Sequence, residues 1–248
     1  KLAVFAFCGV SAVSAQDARQ IMQQVQDRQK SQSQRYQGWL KVVDQKSRIT
    51  EKRWTYERIG TAGDSKVVLR FTAPAEVKGV ALLIVNHPER ASDQWMWTPS
   101  LQRDRRIAFQ DRSTRFFGTD FSFEDLEERD VDQYDYRVLG EETLDGAKVW
   151  KIESKPRKTK SSQYTHAHLW VDKDRYVIVK IESFRKDNLV RRIRYSEYQK
   201  IQNIWTPMQL EVEDIGRKSK TILRTEKLEY NVPLQEEMFT LQALRRES

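Results

Sequence analysis

The sequence contains few of the residues that carry thiol, metal or nucleophilic chemistry. Its 248 residues include one cysteine, Cys8, and three histidines, His87, His166 and His168. His166 and His168 share one face of a predicted strand, but no cysteine or further histidine lies near them in sequence to complete a metal site. The nucleophile-elbow, P-loop and dinucleotide-binding motifs are also absent. We therefore expect no metal, no cofactor and no enzymatic activity.

Long hydrophobic runs are missing as well. A membrane-spanning helix needs about 20 consecutive apolar residues, and the sequence has no such stretch. Hydrophobic residues make up 38% of the chain and charged residues 32%, whereas soluble domains have about 45–50% and about 25%. A sheet that is buried on both faces needs near-continuous apolar strands. The composition therefore favours a sheet with one face in solvent, and the 26 aromatic residues exclude a disordered chain.

The net charge of +8 could indicate a nucleic-acid partner. Acidic residues are interleaved with the basic ones, however, and the aromatic side chains favour the opposite strand faces, so we expect no nucleic acid. The exception is the 155–160 loop, which contains four cations and no acidic residue. This loop is either a solvated hairpin tip or a contact with anionic lipid headgroups or an acidic partner.

The N-terminal residues resemble a secretory signal peptide. Lys1 precedes a short apolar run, which ends in the small residues Val13, Ser14 and Ala15. The alternative is a buried first strand or helix. We expect residues 1–15 to be a signal peptide with its start missing, and residues 16–248 to form one domain. Removal of residues 1–15 would leave a chain without cysteine, which suits an oxidising compartment.

The rest of the chain predicts one helix and many strands. Apolar residues at helical spacing predict a helix over 17–33, with Asp17 and Gln20 as its capping box. Short polar connections such as Asp145-Gly146 indicate antiparallel hairpins rather than crossovers. The predicted fold is a single meandering antiparallel sheet, long enough to curl. Its strands are 36–44, 48–59, 66–72, 80–86, 94–98, 105–109, 134–142, 148–155, 164–172, 176–185, 189–200, 205–214 and 219–230.

Alternate residues of a strand point to opposite faces. In the second half of the chain, one predicted face is apolar, with side chains such as Trp150, Ile181 and Val212. The other face carries acids and bases whose signs alternate between neighbouring strands, as expected of cross-strand pairs in water. We therefore expect one covered apolar face and one charged face in solvent.

The segment 95–126 stands apart from the rest. Four phenylalanines, Phe116, Phe117, Phe121 and Phe123, fall within eight residues, and so many cannot all be exposed to water. They either fill one end of the core or form a movable lid over an apolar groove.

This segment also resembles a known family. It contains Trp95-Met-Trp97-Thr-Pro99-Ser100, then Arg105-Arg106-Ile107, then the pattern F-x-G-T-D-F-x-x-E-D-L over 116–126. These motifs are similar to those of the outer-membrane lipoprotein-sorting proteins, a branch of the LolA/LolB/RseB-like superfamily of periplasmic carriers. The resemblance implies a mainly β fold, with a strongly curved antiparallel half-barrel whose concave apolar face is covered by helices and loops. It also implies binding of acyl chains of a lipoprotein or another lipid in the periplasm.

We accordingly expect a monomeric, non-catalytic carrier that takes cargo from an inner-membrane exporter or passes it to an outer-membrane acceptor. The alternative is an RseB-like envelope sensor that binds a membrane-anchored regulator. The lid would be Phe116, Phe117, Phe121, Phe123 and Leu126, and Arg105 and Arg106 would either tie it down through Asp120 or Asp125 or hold an anionic headgroup. The expected groove residues are Trp54, Tyr56, Leu69, Phe71, Trp95, Trp97, Trp150, Ile152, Val179, Ile181, Leu210 and Val212.

Overall fold

The structure, a computed structural model, describes residues 15–246. The predicted signal peptide lies outside these residues except for Ala15. The described chain contains two α-helices and thirteen strands. Short 3₁₀ turns occur at Pro99–Leu101, Phe109–Asp111, Glu124–Leu126, Val131–Gln133 and Glu236–Phe239. The helices and strands are α1 (Ala15–Arg28), β1 (Ser33–Val43), β2 (Ile49–Thr61), β3 (Asp64–Ala73), β4 (Ala81–Val85), β5 (Asp93–Thr98), β6 (Arg103–Arg106), β7 (Tyr134–Leu144), β8 (Ala147–Pro156), β9 (His166–Asp172), β10 (Ile178–Arg185), β11 (Asn188–Ile201), β12 (Ile204–Asp214), β13 (Ser219–Tyr230) and α2 (Leu241–Leu244).

All thirteen strands belong to one antiparallel sheet, which confirms the predicted meander. The strand order is β6-β5-β4-β3-β2-β1-β13-β12-β11-β10-β9-β8-β7. The sheet is thus two meanders, β1–β6 and β7–β13, joined where β1 pairs with β13. Tight turns connect neighbouring strands: Asp145 and Gly146 have φ of 49° and 83°, as a two-residue type I′ hairpin requires.

The prediction of a strongly curved half-barrel is wrong in its degree of curvature. A sheet closes only when its first and last strands approach each other. Here β6 and β7 are separate edges, and the sheet is not strongly curled.

Helix α1 covers part of one face of the sheet. Ala18, Met22 and Val25 are buried, and the helix packs against β7. The helix ends at Arg28, earlier than predicted, because the chain turns and enters β1 at Ser33. Its first residue is Ala15, so Asp17 lies inside the first turn and the predicted capping box is wrong.

The sheet has a large core on the α1 face and a smaller one on the opposite face. The larger core takes apolar residues from most strands, including Leu69 and Leu82. The smaller core contains Val68, Ala81, Leu83 and Trp97, covered by Phe239 and Leu244 from the C-terminal segment. Strands β3 and β4 are therefore buried on both faces. The expectation of one face in solvent is wrong at this end of the sheet.

At the other end, the outward face carries the predicted cross-strand ion pairs. Arg192 of β11 contacts Glu182 of β10 at 2.9 Å and Glu213 of β12 at 2.8 Å, and Lys220 contacts Glu211 at 3.0 Å. Such exposed pairs contribute little to stability individually. Their alternation accounts for much of the high charge of the chain.

The 155–160 loop is not a free basic patch. Lys160 is buried and pairs with Glu127. Arg157 contacts Asp135 at 2.8 Å, and Lys155 contacts Glu153 at 3.4 Å. Three of the four cations of the loop therefore have carboxylate partners outside it. Little unpaired positive charge is therefore left in this loop to contact an anionic lipid headgroup.

Candidate functional site

A cavity of about 620 Å³ lies on the α1 face of the sheet. Its wall includes Met22 and Val25 of α1 together with residues of β1–β3 and β7–β13. The exposed residues Asp27, Gln29 and Lys30, at and just after the end of α1, lie at its rim. Its volume falls in the range of about 300–1,000 Å³ that is typical of small-molecule sites.

The structure brings part of the predicted groove to this cavity. Five of the predicted groove residues line it: Trp54, Tyr56, Leu69, Ile181 and Leu210. Phe71, Ile152 and Val212 are fully buried in the surrounding core instead. Trp150 packs at the edge of that core, with its ring centroid 5.3 Å from that of Tyr176.

Two of the predicted groove residues lie on the wrong face. Trp97 is buried in the smaller core, and Trp95 packs beside it, whereas Met96 between them packs against the larger core. Successive side chains of a strand alternate between its two faces, so Trp95 and Trp97 share one face of β5, and this face is the one opposite the cavity. The sequence does not indicate that this opposite side is also apolar and covered.

A bulge in β10 explains the error at Val179. Ile178 pairs with Val171 and Lys180 pairs with Trp170, so one extra residue is inserted between them. A bulge shifts the alternation by one position. As a result Ile178 and Ile181 both line the cavity, and Val179 does not.

The four phenylalanines of the predicted lid form a packed aromatic cluster with Trp54 and Phe71. Phe116 is fully buried and stacks on Phe71 at 5.2 Å between ring centroids. Phe121 lies 5.7 Å from Trp54, and Phe117 and Phe123 pack against Phe116. The remaining predicted lid residue, Leu126, lines the cavity with Phe121. We call the six rings the phenylalanine cluster; they fill one end of the larger core.

Gly38 allows Trp54 to take its place in this cluster. It stands directly opposite Trp54 in the β1–β2 register. A Cβ atom at Gly38 would overlap the Trp54 indole ring. A larger residue at this position would therefore push the indole out of the cluster.

The predicted arginine latch does not form. Arg105 contacts Asp111 at 3.4 Å, and Arg106 pairs with Asp93. Both arginines belong to the edge strand β6, whose side chains are largely exposed. The sequence could not show that closer carboxylates were available to them.

Asp120 and Asp125 do anchor the phenylalanine segment, but through other partners. Asp120 is fully buried and accepts hydrogen bonds from Ser219 and Thr221 of β13, at 2.6 and 2.8 Å. Asp125 lies 3.1 Å from Arg191 of β11. The segment is thereby attached to the second meander at two points.

Tyrosine side chains dominate the polar part of the cavity wall, a feature that the sequence analysis missed. Eight of the nine tyrosines of the chain line the cavity: Tyr36, Tyr56, Tyr134, Tyr136, Tyr164, Tyr195, Tyr198 and Tyr230. Burial raises the pKa of Tyr195 to about 12, and it also raises the pKa of Tyr56. These two phenol groups are therefore neutral at physiological pH and present hydroxyl groups beside apolar rings. Tyrosine at alternate strand positions, as at Tyr134 and Tyr136, was the available signal.

The cavity also contains charged side chains. Arg58 contacts Glu128 at 3.1 Å, and burial raises the pKa of Glu128. Glu124 accepts a hydrogen bond from the Gln163 backbone amide at 2.9 Å, and burial likewise raises its pKa. The wall therefore combines apolar surface with fixed polar groups, as expected of a site that holds an amphiphilic molecule.

Within residues 15–246, no group of three or more His, Cys, Asp or Glu side chains is arranged to hold a metal ion. No helix in the same range is long and apolar enough to cross a membrane.

Comparisons with known proteins add a family and a fold. A family model described as "Uncharacterized protein" matches residues 63–246. No curated protein matches the chain. Among solved structures, a domain from Vibrio parahaemolyticus described as an outer membrane lipoprotein-sorting protein is 26% identical, with a TM-score of 0.88. The match covers 94% of this chain and 100% of that one.

Two other solved structures are similar. A DUF1329 family protein from Desulfovibrio piger is 27% identical over 93% of this chain and 98% of that one, with a TM-score of 0.88. A LolA superfamily protein from Nitrosomonas europaea has a TM-score of 0.72 at 19% identity and shows the same fold, over 94% of this chain and 100% of that one.

Proposed function

The chain belongs to the family whose model spans residues 63–246 and has the fold of the outer-membrane lipoprotein-sorting and LolA superfamily proteins, and on this premise we propose that it is a carrier for acylated molecules. The cargo would be a lipoprotein or another lipid. The protein would be exported to the periplasm after removal of residues 1–15, and residues 16–248 would act as one monomeric domain.

The cavity of about 620 Å³ is the observation that carries this proposal. Apolar side chains such as Leu69, Ile181 and Leu210 line it. Each methylene of an acyl chain buried there contributes about 0.8 kcal/mol, which is offset in part by the ordering of the chain. The contribution of the acyl chain to binding grows with its length, and binding remains reversible, as delivery of a cargo requires.

A binding experiment tests the proposal. Purified protein is analysed by mass spectrometry for co-purified lipid and is titrated with a fluorescent fatty acid. Leu210→Trp fills the cavity and should lower fatty-acid uptake at least about tenfold. The matched control is Leu139→Trp, at a position that is 39% exposed and does not line the cavity, and it should bind like the unmodified protein.

Absence of both co-purified lipid and fatty-acid uptake would refute the carrier function. Equal loss of uptake in both variants would show that the cavity is not the binding site. A pull-down from envelope extracts adds a third outcome: stoichiometric capture of a membrane-anchored regulator, without lipid, would favour the RseB-like sensor instead. Cell fractionation tests the periplasmic location.

A further inference from the structure

Arg129 is the exceptional charged residue of the cavity wall. Its guanidinium carbon lies 4.1 Å from the centroid of the Tyr134 ring, and its Nη2 donates a hydrogen bond to Ser154 Oγ at 2.6 Å. Its Nε is buried and has no hydrogen-bond partner. Unpartnered buried donors are rare in folded proteins, because each one loses its hydrogen bond to water without replacement.

The other cations that line the interior of the cavity are paired. Arg58 contacts Glu128 at 3.1 Å, and Lys160 pairs with Glu127. Within residues 15–246, by contrast, no carboxylate oxygen forms an ion pair with Arg129. Lys30, the remaining cation of the wall, is exposed at the rim. Arg129 is thus a cation whose counter-charge must come from outside the described chain.

The acidic groups of the cavity wall already have partners of their own. Asp125 pairs with Arg191 and accepts a hydrogen bond from the Tyr164 hydroxyl at 2.9 Å. Glu124 accepts hydrogen bonds from Ser162 and from the Gln163 amide. These contacts hold the carboxylates in place, so they do not move to neutralise Arg129.

The surroundings of Arg129 also keep it cationic. Burial acts to lower its pKa, but the pKa is raised overall, with a side-chain interaction with the Tyr136 hydroxyl among the causes. A guanidinium holds its proton under all physiological conditions and can present two parallel N–H donors to one oxyanion. The neutral phenols add hydroxyl donors beside it.

We propose that Arg129 binds the oxyanion head, a carboxylate or a phosphate, of an acylated ligand whose chain occupies the apolar part of the same cavity. This inference rests on the proposed carrier function and adds a headgroup class to it. The cavity would then select acylated molecules with an anionic head over neutral ones of the same chain length.

The first experiment needs no variant. The unmodified protein is titrated with palmitate and with methyl palmitate, which differ in headgroup charge but not in chain length. The acid should bind at least about tenfold more tightly than the ester, because hydrogen bonds to a charged group contribute that much or more. Equal affinity would overturn the headgroup assignment and leave the carrier function intact. Failure of both ligands to bind would refute the carrier function itself.

The second experiment assigns the preference to Arg129. Arg129→Met should abolish the preference for palmitate while leaving methyl palmitate affinity within about twofold, and Arg129→Lys should restore part of it. Arg137→Met is the matched control, since Arg137 is an exposed residue of β7 paired with Glu153. Persistence of the full preference in Arg129→Met would overturn the proposal.

Two further measurements test the contact without a variant and distinguish an acylated ligand from a free oxyanion. If Arg129→Met does not fold, the Arg129 Nε–H resonance of the unmodified protein is followed by NMR. It should shift with palmitate and not with methyl palmitate, and no shift with palmitate would refute the contact. Inorganic phosphate at millimolar concentration should not displace palmitate. Displacement would show a site for free oxyanions rather than for an acylated ligand.

Discussion

The two ends of the α1 face of the sheet differ in which aromatic residue fills them. At one end the phenylalanine cluster packs ring against ring, with centroids 5.2–6.3 Å apart. At the other end eight tyrosines surround a cavity of about 620 Å³. Both ends are built on the same sheet face and from rings of nearly the same shape.

The difference lies in the hydroxyl groups. Phenylalanine has no polar atom, so its rings pack without leaving any hydrogen bond unmade. A phenol needs a hydrogen-bond partner when it is buried, and several phenols of the wall find one within the chain: the Tyr164 hydroxyl donates to Asp125 and the Tyr198 hydroxyl donates to the Ile178 carbonyl. The tyrosines therefore bring hydroxyl groups and their polar partners to the cavity wall, whereas the phenylalanine rings bring none.

The largest effect on stability is expected at Phe116, which has no exposed surface. Phe116→Ala should lower the free energy of unfolding by about 3–5 kcal/mol, because it leaves a cavity in a packed cluster. Urea denaturation followed by circular dichroism measures this. Phe109→Ala is the control at a ring that is 46% exposed, and it should change stability by about 0.5 kcal/mol or less. Equally small effects at both positions would show a movable lid rather than packed core.

A second, somewhat smaller effect is expected at Asp125, which joins the phenylalanine segment to β11. Asp125→Asn leaves the buried Arg191 with only Asp214, at 3.8 Å. Loss of one partner from a buried ion pair costs about 3 kcal/mol. Chemical denaturation again measures the change. The matched Asp145→Asn alters an 81% exposed carboxylate in a hairpin turn, where asparagine is equally favourable, and a comparable loss there would contradict the interpretation.

On the tyrosine side, removal of a hydroxyl should matter much less for folding. Tyr195→Phe keeps the ring and should change the free energy of unfolding by about 1 kcal/mol or less. Denaturation of this variant and of Phe116→Ala under the same conditions compares the two regions directly. If Tyr195→Phe were as destabilising as Phe116→Ala, the tyrosine wall would be a packed core and not the lining of a binding site.

The smallest effect is expected on the outward face behind the cavity. Lys220→Gln removes an ion pair with Glu211, in which the lysine side chain is 41% exposed. The change in stability should be about 0.5 kcal/mol or less and should fall further in 1 M salt, since exposed pairs are screened. A salt-independent loss above about 2 kcal/mol would show that this face is covered in solution.

Much of the fold could be predicted because strand signals are local. Hairpin turns such as Asp145-Gly146 and the alternation of apolar and charged residues in β11 and β12 depend only on neighbours in sequence. The bulge after Ile178 could not be predicted, because nothing in the local pattern marks an inserted residue. For this reason Val179 was predicted to line the groove, whereas Ile178 lines the cavity.

The candidate site could be predicted only in part for the same reason. Trp54, Tyr56 and Leu69 of the predicted groove all line the cavity, since they alternate on paired strands. The ion partners were not predicted, because Arg105, Lys160 and Asp125 pair with residues that other elements bring close. Arg129 is left without an ion-pair partner only because the carboxylates of the wall pair with other residues in this way.

The sequence by itself determined an antiparallel meander with one charged face, because the alternation of apolar and charged residues and the short turns depend only on residues that are adjacent in sequence. Only the tertiary structure decided that β3 and β4 are covered on both faces, that phenylalanines close one end, and that tyrosines and Arg129 line an open space at the other. Such outcomes depend on which distant surfaces meet, and a cavity is a property of several strands at once rather than of any one of them.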